Sequence, residues 1–157
     1  TTLKVVASFE LPTIWFWPNA DGGTGEMSDS LRGMRETHPE LTAHMRFITN
    51  VPANDFVALL AHAACLVGNS SAGIKECSFL GTPVVNIGNR QQGRLTGPHV
   101  TLTGYEAGEI AAAIATQLAH GRYEPSHLYY RENASEVIAT LLAGTPLYTQ
   151  KRFHDGE

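Results

Sequence analysis

The sequence predicts an α/β domain built on an open, doubly wound parallel sheet, and three observations carry that prediction. Short, continuously apolar runs alternate with stretches of helical period, the pattern of strands buried on both faces and joined by crossover helices. Loops rich in Gly, Asn and Pro open at Asn19, Asn50, Gly68 and Gly88, just after those runs. The chain has 157 residues, 43% hydrophobic and 17% charged, which suits one globular domain and excludes a disordered tail or a fibre.

Thr13 to Trp17 reads as the first strand, ending at Pro18 and followed by the loop Asn19-Ala20-Asp21-Gly22-Gly23-Thr24-Gly25. From Glu26 to Thr37 the period is helical, with Met27, Leu31 and Met34 on one face. Arg46–Thr49 is a second strand, and Asn50-Val51-Pro52 turns the chain into a helix from Asp55 to His62. Phe56, Leu59, Leu60 and Ala63 form the apolar stripe of that helix. Cys65–Val67 is a buried strand, leading to a helix from Ser71 to Leu80 closed by Gly81. Strands follow at Pro83–Ile87 and Val100–Leu102, separated by a polar loop from Gly88 to Pro98. Two more helices, Glu106–His120 and Ala134–Ala143, complete the domain, and residues 145–157 read as a loose polar tail.

Composition narrows the chemistry. The formal net charge is −4 and no row of Lys and Arg exists to neutralise phosphates, which argues against nucleic acid as a partner. No run of ~18 apolar residues suggests a membrane span, and no signal-peptide pattern opens the chain. Cys65 and Cys77 form no metal spacing and read as small buried hydrophobes, in keeping with a reduced, cytoplasmic compartment. The histidines show no zinc-ligand arrangement, so neither a metal nor an organic cofactor is expected. No GxGxxG follows a strand, which disfavours a dinucleotide oxidoreductase.

Ligands of doubly wound sheets bind beyond the carboxyl ends of the strands. There the run Gly68-Asn69-Ser70-Ser71-Ala72-Gly73 leads from a strand into a helix start, where free N–H groups and two hydroxyls favour an anion such as a diphosphate. Serine at this position also serves as an ordinary N-cap. Glu76, in the same helix, offers a carboxylate to the two hydroxyls of a ribose, or is a solvated helix carboxylate. Arg90 and Arg94, in the loop Gly88–Arg94, could pair with phosphates through charge-assisted bonds. Phe56 is either core or a stacking partner for a planar base.

The run from Gly68 to Arg94 resembles the signature of the UDP-N-acetylglucosamine 2-epimerases, and Trp17–Gly23 is similar to the "PN-x-D" loop of their hydrolysing branch. The resemblance implies a Rossmann-like domain forming the C-terminal, nucleotide-holding half of a two-domain GT-B-type fold, here residues 1–144. It implies that Ser70 and Ser71 bind the UDP phosphates, Glu76 the ribose and Phe56 the uracil. Arg90 would anchor the diphosphate and Asn19 touch the nucleotide-sugar, with Asp21, Asn69 and Arg94 as further candidates. The parent activity implied is hydrolysis and epimerisation of a UDP-sugar to UDP and N-acetylmannosamine or a related sugar, as in sialic-acid-type pathways. Catalytic carboxylates are expected on the missing N-terminal domain, so this chain alone would bind without turnover. The segment Leu95–His99 departs from the family pattern, which opens the question of what His99 does. Two alternatives remain: the donor-nucleotide domain of a GT-B glycosyltransferase, and a non-catalytic sugar-nucleotide sensor. Self-association through the uncovered cleft face and last helix, giving a homo-oligomer, is a further expectation.

Overall fold

Successive side chains of a strand point to opposite faces, so a strand that is apolar throughout must be covered on both sides. Val84–Ile87 is covered in this way: all four residues are buried, the polar Asn86 among them. The computed structural model describes residues 1–17 and 24–146. In it this strand, β4, pairs in parallel with β3 (Leu66–Gly68) on one side and β5 (Val100–Thr103) on the other. One face of β4, through Val85 and Ile87, packs on Val5 of α1 (Thr2–Ala7) and on Ile110, Ala113 and Ile114 of α5 (Ala107–His120). The opposite face, through Val84, packs on Leu60 of α3 (Ala53–His62), on Ala72, and on Cys77 of α4 (Glu76–Leu80). The outcome is the expected helix–sheet–helix layering.

A second parallel ladder joins β1 (Thr13–Phe16) to β2 (Met45–Ile48), with Thr13 opposite Met45 and Phe16 opposite Ile48. The sequence pattern predicts one continuous sheet, but the backbone bonds of the described strands form two ladders. Side chains close the seam: Phe16 of β1 meets Phe56 of α3 edge-on at 5.3 Å. Helix α1 bridges the two halves as well. Its Leu3 and Ala7 join Leu31 of α2 (Thr24–Thr37) and Met45 in a second core, and Val6 packs against both cores.

Polar groups also tie α5 and the chain after it to the sheet. Gln117 of α5 is fully buried, and its Nε2 lies 2.8 Å from Thr101 Oγ1 and 3.2 Å from the carbonyls of Val84 and His99. Tyr123 Oη donates back to Gln117 Oε1 at 2.9 Å, so both ends of the amide are satisfied. Arg122 donates to the carbonyls of Leu80 and Ala61, capping the C-terminal ends of α4 and α3. Helix α6 (Ala134–Gly144) buries no residue, and Leu141 and Leu142 are each 62% exposed.

Candidate functional site

Strand β3 ends on Gly68, whose φ of +148° is a backbone conformation that side chains disfavour; a Cβ there would meet nothing within 4 Å. The chain is thus released into the Asn69–Ser70–Ser71 segment beside open space. Ser70 acts as the N-cap, its Oγ accepting from the Ala72 amide at 3.3 Å, so the capping reading is what the described contacts contain. A hydroxyl that accepts this bond still has its own proton to donate. Asn69, Ser70 and Ser71 are all exposed.

The sequence predicts one helix from Ser71 to Leu80, and here the structure differs. Ser71–Gly73 is a single 3-10 turn, and α4 begins only at Glu76. Two causes are visible. Gly73 lies so close to β4 that a Cβ would come within 2.9 Å of Val84 Cγ1. Its carbonyl, which a continuous helix would turn toward the amide of residue 77, faces His99 Nε2 at 3.0 Å. A carbonyl can only accept, so Nε2 carries the proton. His99 is therefore a buried strut beneath the serine turn, and burial holds its pKa below the ordinary value. The break also weakens the helix-dipole argument, since a three-residue turn sums few peptide dipoles. An anion placed here would rely on hydroxyls, backbone amides and nearby cations.

Those cations lie in the loop after β4. Arg90 and Arg94 are exposed, whereas Gln91 between them is only 6% exposed. Gln91 Nε2 donates to the Asn69 carbonyl at 2.7 Å and thereby ties the arginine loop to the serine turn. The loop is held at both ends too. Gly88 N donates to Thr103 O at 2.9 Å, and Tyr129 Oη donates to Leu95 O at 2.8 Å. Tyr105 lies directly over Gly88: a Cβ on that glycine would fall 2.2 Å from the phenol oxygen. Gln91 Oε1 and Thr103 Oγ1, both at this edge, are buried without a protein partner.

Glu76 is the first residue of α4 and is exposed. It lines a cleft of about 280 Å³ with Val57, Lys75, Phe79, Tyr129 and Tyr130. Phe56 is half-buried and packs on the core cluster of Leu60, Ala72, Cys77 and Val84, of which Ala72 belongs to the serine turn. Asn19 and Asp21 lie outside the described residues. Sequence reasoning missed Gln91, Tyr105, Tyr129 and the role of His99, because each acts through a partner distant in the chain. Cys65 and Cys77 are free thiols, both pushed up to about 12 chiefly by burial, as expected of packing residues. No group of side chains among the described residues is suited to hold a metal ion, and no described helix is long and apolar enough to cross a membrane.

The sequence model of the UDP-N-acetylglucosamine 2-epimerase family matches residues 1–143. The chain belongs to this family. It is 34% identical over 148 residues to the UDP-N-acetylglucosamine 2-epimerase of Neisseria meningitidis serogroup B, covering 90% of this chain and 38% of that protein. Similarity extends to the UDP-N,N'-diacetylbacillosamine 2-epimerase (hydrolyzing) of Legionella pneumophila, 26% identical over 150 residues, covering 96% of this chain and 38% of that protein. A 50-residue stretch is 42% identical to the GDP/UDP-N,N'-diacetylbacillosamine 2-epimerase (hydrolyzing) of Campylobacter jejuni, covering 32% of this chain and 13% of that protein. The chain thus spans well under half the length of the epimerases it matches.

Proposed function

We propose that this chain is the UDP-binding portion of a hydrolysing UDP-N-acetylglucosamine 2-epimerase, whose products are UDP and N-acetylmannosamine or a related amino sugar. The observation that carries the reading is the Gln91–Asn69 bond, which unites the serine turn and the arginine loop at one sheet edge. In this reading Ser70, Ser71 and Arg90 grip the diphosphate, with Asn69 and Arg94 alongside. Glu76 accepts from the ribose hydroxyls, Phe56 packs on the uracil, and Asn19 and Asp21 approach the nucleotide-sugar. The hydrolysing branch is favoured by the names of the Legionella and Campylobacter relatives and by the composition of the Trp17–Gly23 loop.

When the bond between the anomeric carbon and the diphosphate oxygen breaks, its electron pair stays on the departing UDP. Arginine and hydroxyl donors aimed at that oxygen charge lower the barrier in proportion to how much the charge grows in the transition state. Binding UDP equally in ground and transition states would add no rate. The acid and base groups that act on the sugar are assigned to the remainder of the full-length protein, and the chain by itself is expected to bind without turnover. Titration calorimetry with UDP tests the reading. Saturable one-to-one binding is expected, weakened at least tenfold by Arg90→Ala, and no detectable binding would refute it. Steady UDP release from UDP-N-acetylglucosamine by the purified chain would refute the assignment of chemistry elsewhere.

A further inference from the structure

Arg90 and Gln92 are exposed while Gln91 between them is turned inward, to 6% exposure. The orientation of its amide is not arbitrary. The Asn69 carbonyl 2.7 Å away can only accept, so a flipped amide would set oxygen against oxygen. Fixing Nε2 in this way leaves Oε1 buried with no protein partner, which is unfavourable for folding. An apolar side chain of similar length would fill the same space without that orphaned acceptor. What glutamine supplies, and methionine could not, is the bond to Asn69 across 22 residues of sequence.

We propose that Gln91 is a positioning residue that locks the arginine loop to the serine turn, so that both act on one diphosphate. The inference rests on the diphosphate reading of this site. The two ends of the loop are tied elsewhere, Gly88 to β5 and Leu95 to Tyr129. Of the loop's described tethers, the Gln91 bond is the one that reaches the serine turn. Releasing it leaves both ends of the loop anchored but removes the bond that sets the loop against the backbone of the serine turn. Preorganised donors lose affinity when they must be ordered on binding.

The test compares UDP with uridine, which lacks the diphosphate, by titration against the wild-type chain, Gln91→Met and Gln91→Glu. Gln91→Met is expected to lower UDP affinity roughly tenfold, the scale of one lost positioning hydrogen bond. Uridine affinity should stay within about twofold, and the thermal midpoint should hold or rise because the orphaned acceptor is gone. Gln91→Glu cannot donate to Asn69 and adds negative charge beside the anion, so it should weaken UDP further. Equal losses for uridine and UDP would mark a merely structural residue and overturn the inference. So would wild-type discrimination between the two ligands in both variants. A wild-type chain that binds UDP no better than uridine would refute the diphosphate reading itself, and this inference with it.

Discussion

Replacing His99 with methionine keeps most of the volume and removes the donor to the Gly73 carbonyl. His99 is 1% exposed and Gly73 is buried, so water cannot replace the lost 3.0 Å bond. A buried carbonyl left without its donor costs about 1–3 kcal/mol, a sizeable share of the roughly 5–15 kcal/mol that stabilises a domain. A glutamine in place of His99 can project an amide N–H to a similar position, and His99→Gln should recover most of the loss. The pH dependence has a definite sign. Burial lowers the folded-state pKa of His99 below its ordinary 6.5, so the unfolded chain binds more protons in acid. Stability from this group is full above about pH 6.5 and is lost as pH falls below it, by at most about 1.4 kcal/mol per pH unit. Urea midpoints from pH 5 to 7.5 measure both effects, with the difference between wild type and His99→Gln isolating this residue. A His99→Met chain as stable as wild type, with an unchanged pH slope, would refute the strut.

Three further outcomes are expected. Gly88→Ala places a Cβ 2.2 Å from Tyr105 Oη at a φ of +77° and should destabilise by about 1–3 kcal/mol, with Tyr105→Ala relieving only the clash; urea titration of the single and double variants checks this. Gln117→Leu strips donors from Val84 O, His99 O and Thr101 and an acceptor from Tyr123; a loss of about 2–4 kcal/mol is expected by the same method. With both thiols pushed up to about 12, a disulfide reagent at pH 8 should label the native chain at least roughly a hundredfold more slowly than the urea-unfolded chain; equal rates would contradict the burial.

Much of the fold is legible because local pattern and tertiary environment agree in it. The largely apolar run at Val84–Ile87, broken by Asn86, could bury its side chains on both faces only between two helical layers, and the 3.6-residue stripe of Phe56, Leu59 and Leu60 fits its helix. Helix α1 carries no such signal: six residues offer little periodicity, and the adjacent Val5 and Val6 are β-branched. The break at Gly73 is also hidden, since it depends on contact with Val84 and His99, which lie 11 and 26 residues further along. For the candidate site, glycine and serine advertise themselves by composition. Gln91 and His99 do not, because their meaning lies in a carbonyl that the fold brings to them.

In the proposed function the serine turn and the arginine loop together receive a nucleoside diphosphate. Titrating the isotopically labelled chain with UDP while following backbone amide resonances tests it most directly. Saturable shifts are expected, concentrated at residues 68–76 and 88–94 and including Ser70, Ser71, Glu76 and Arg90. Shifts confined to other parts of the chain, or none at saturating UDP, would contradict it.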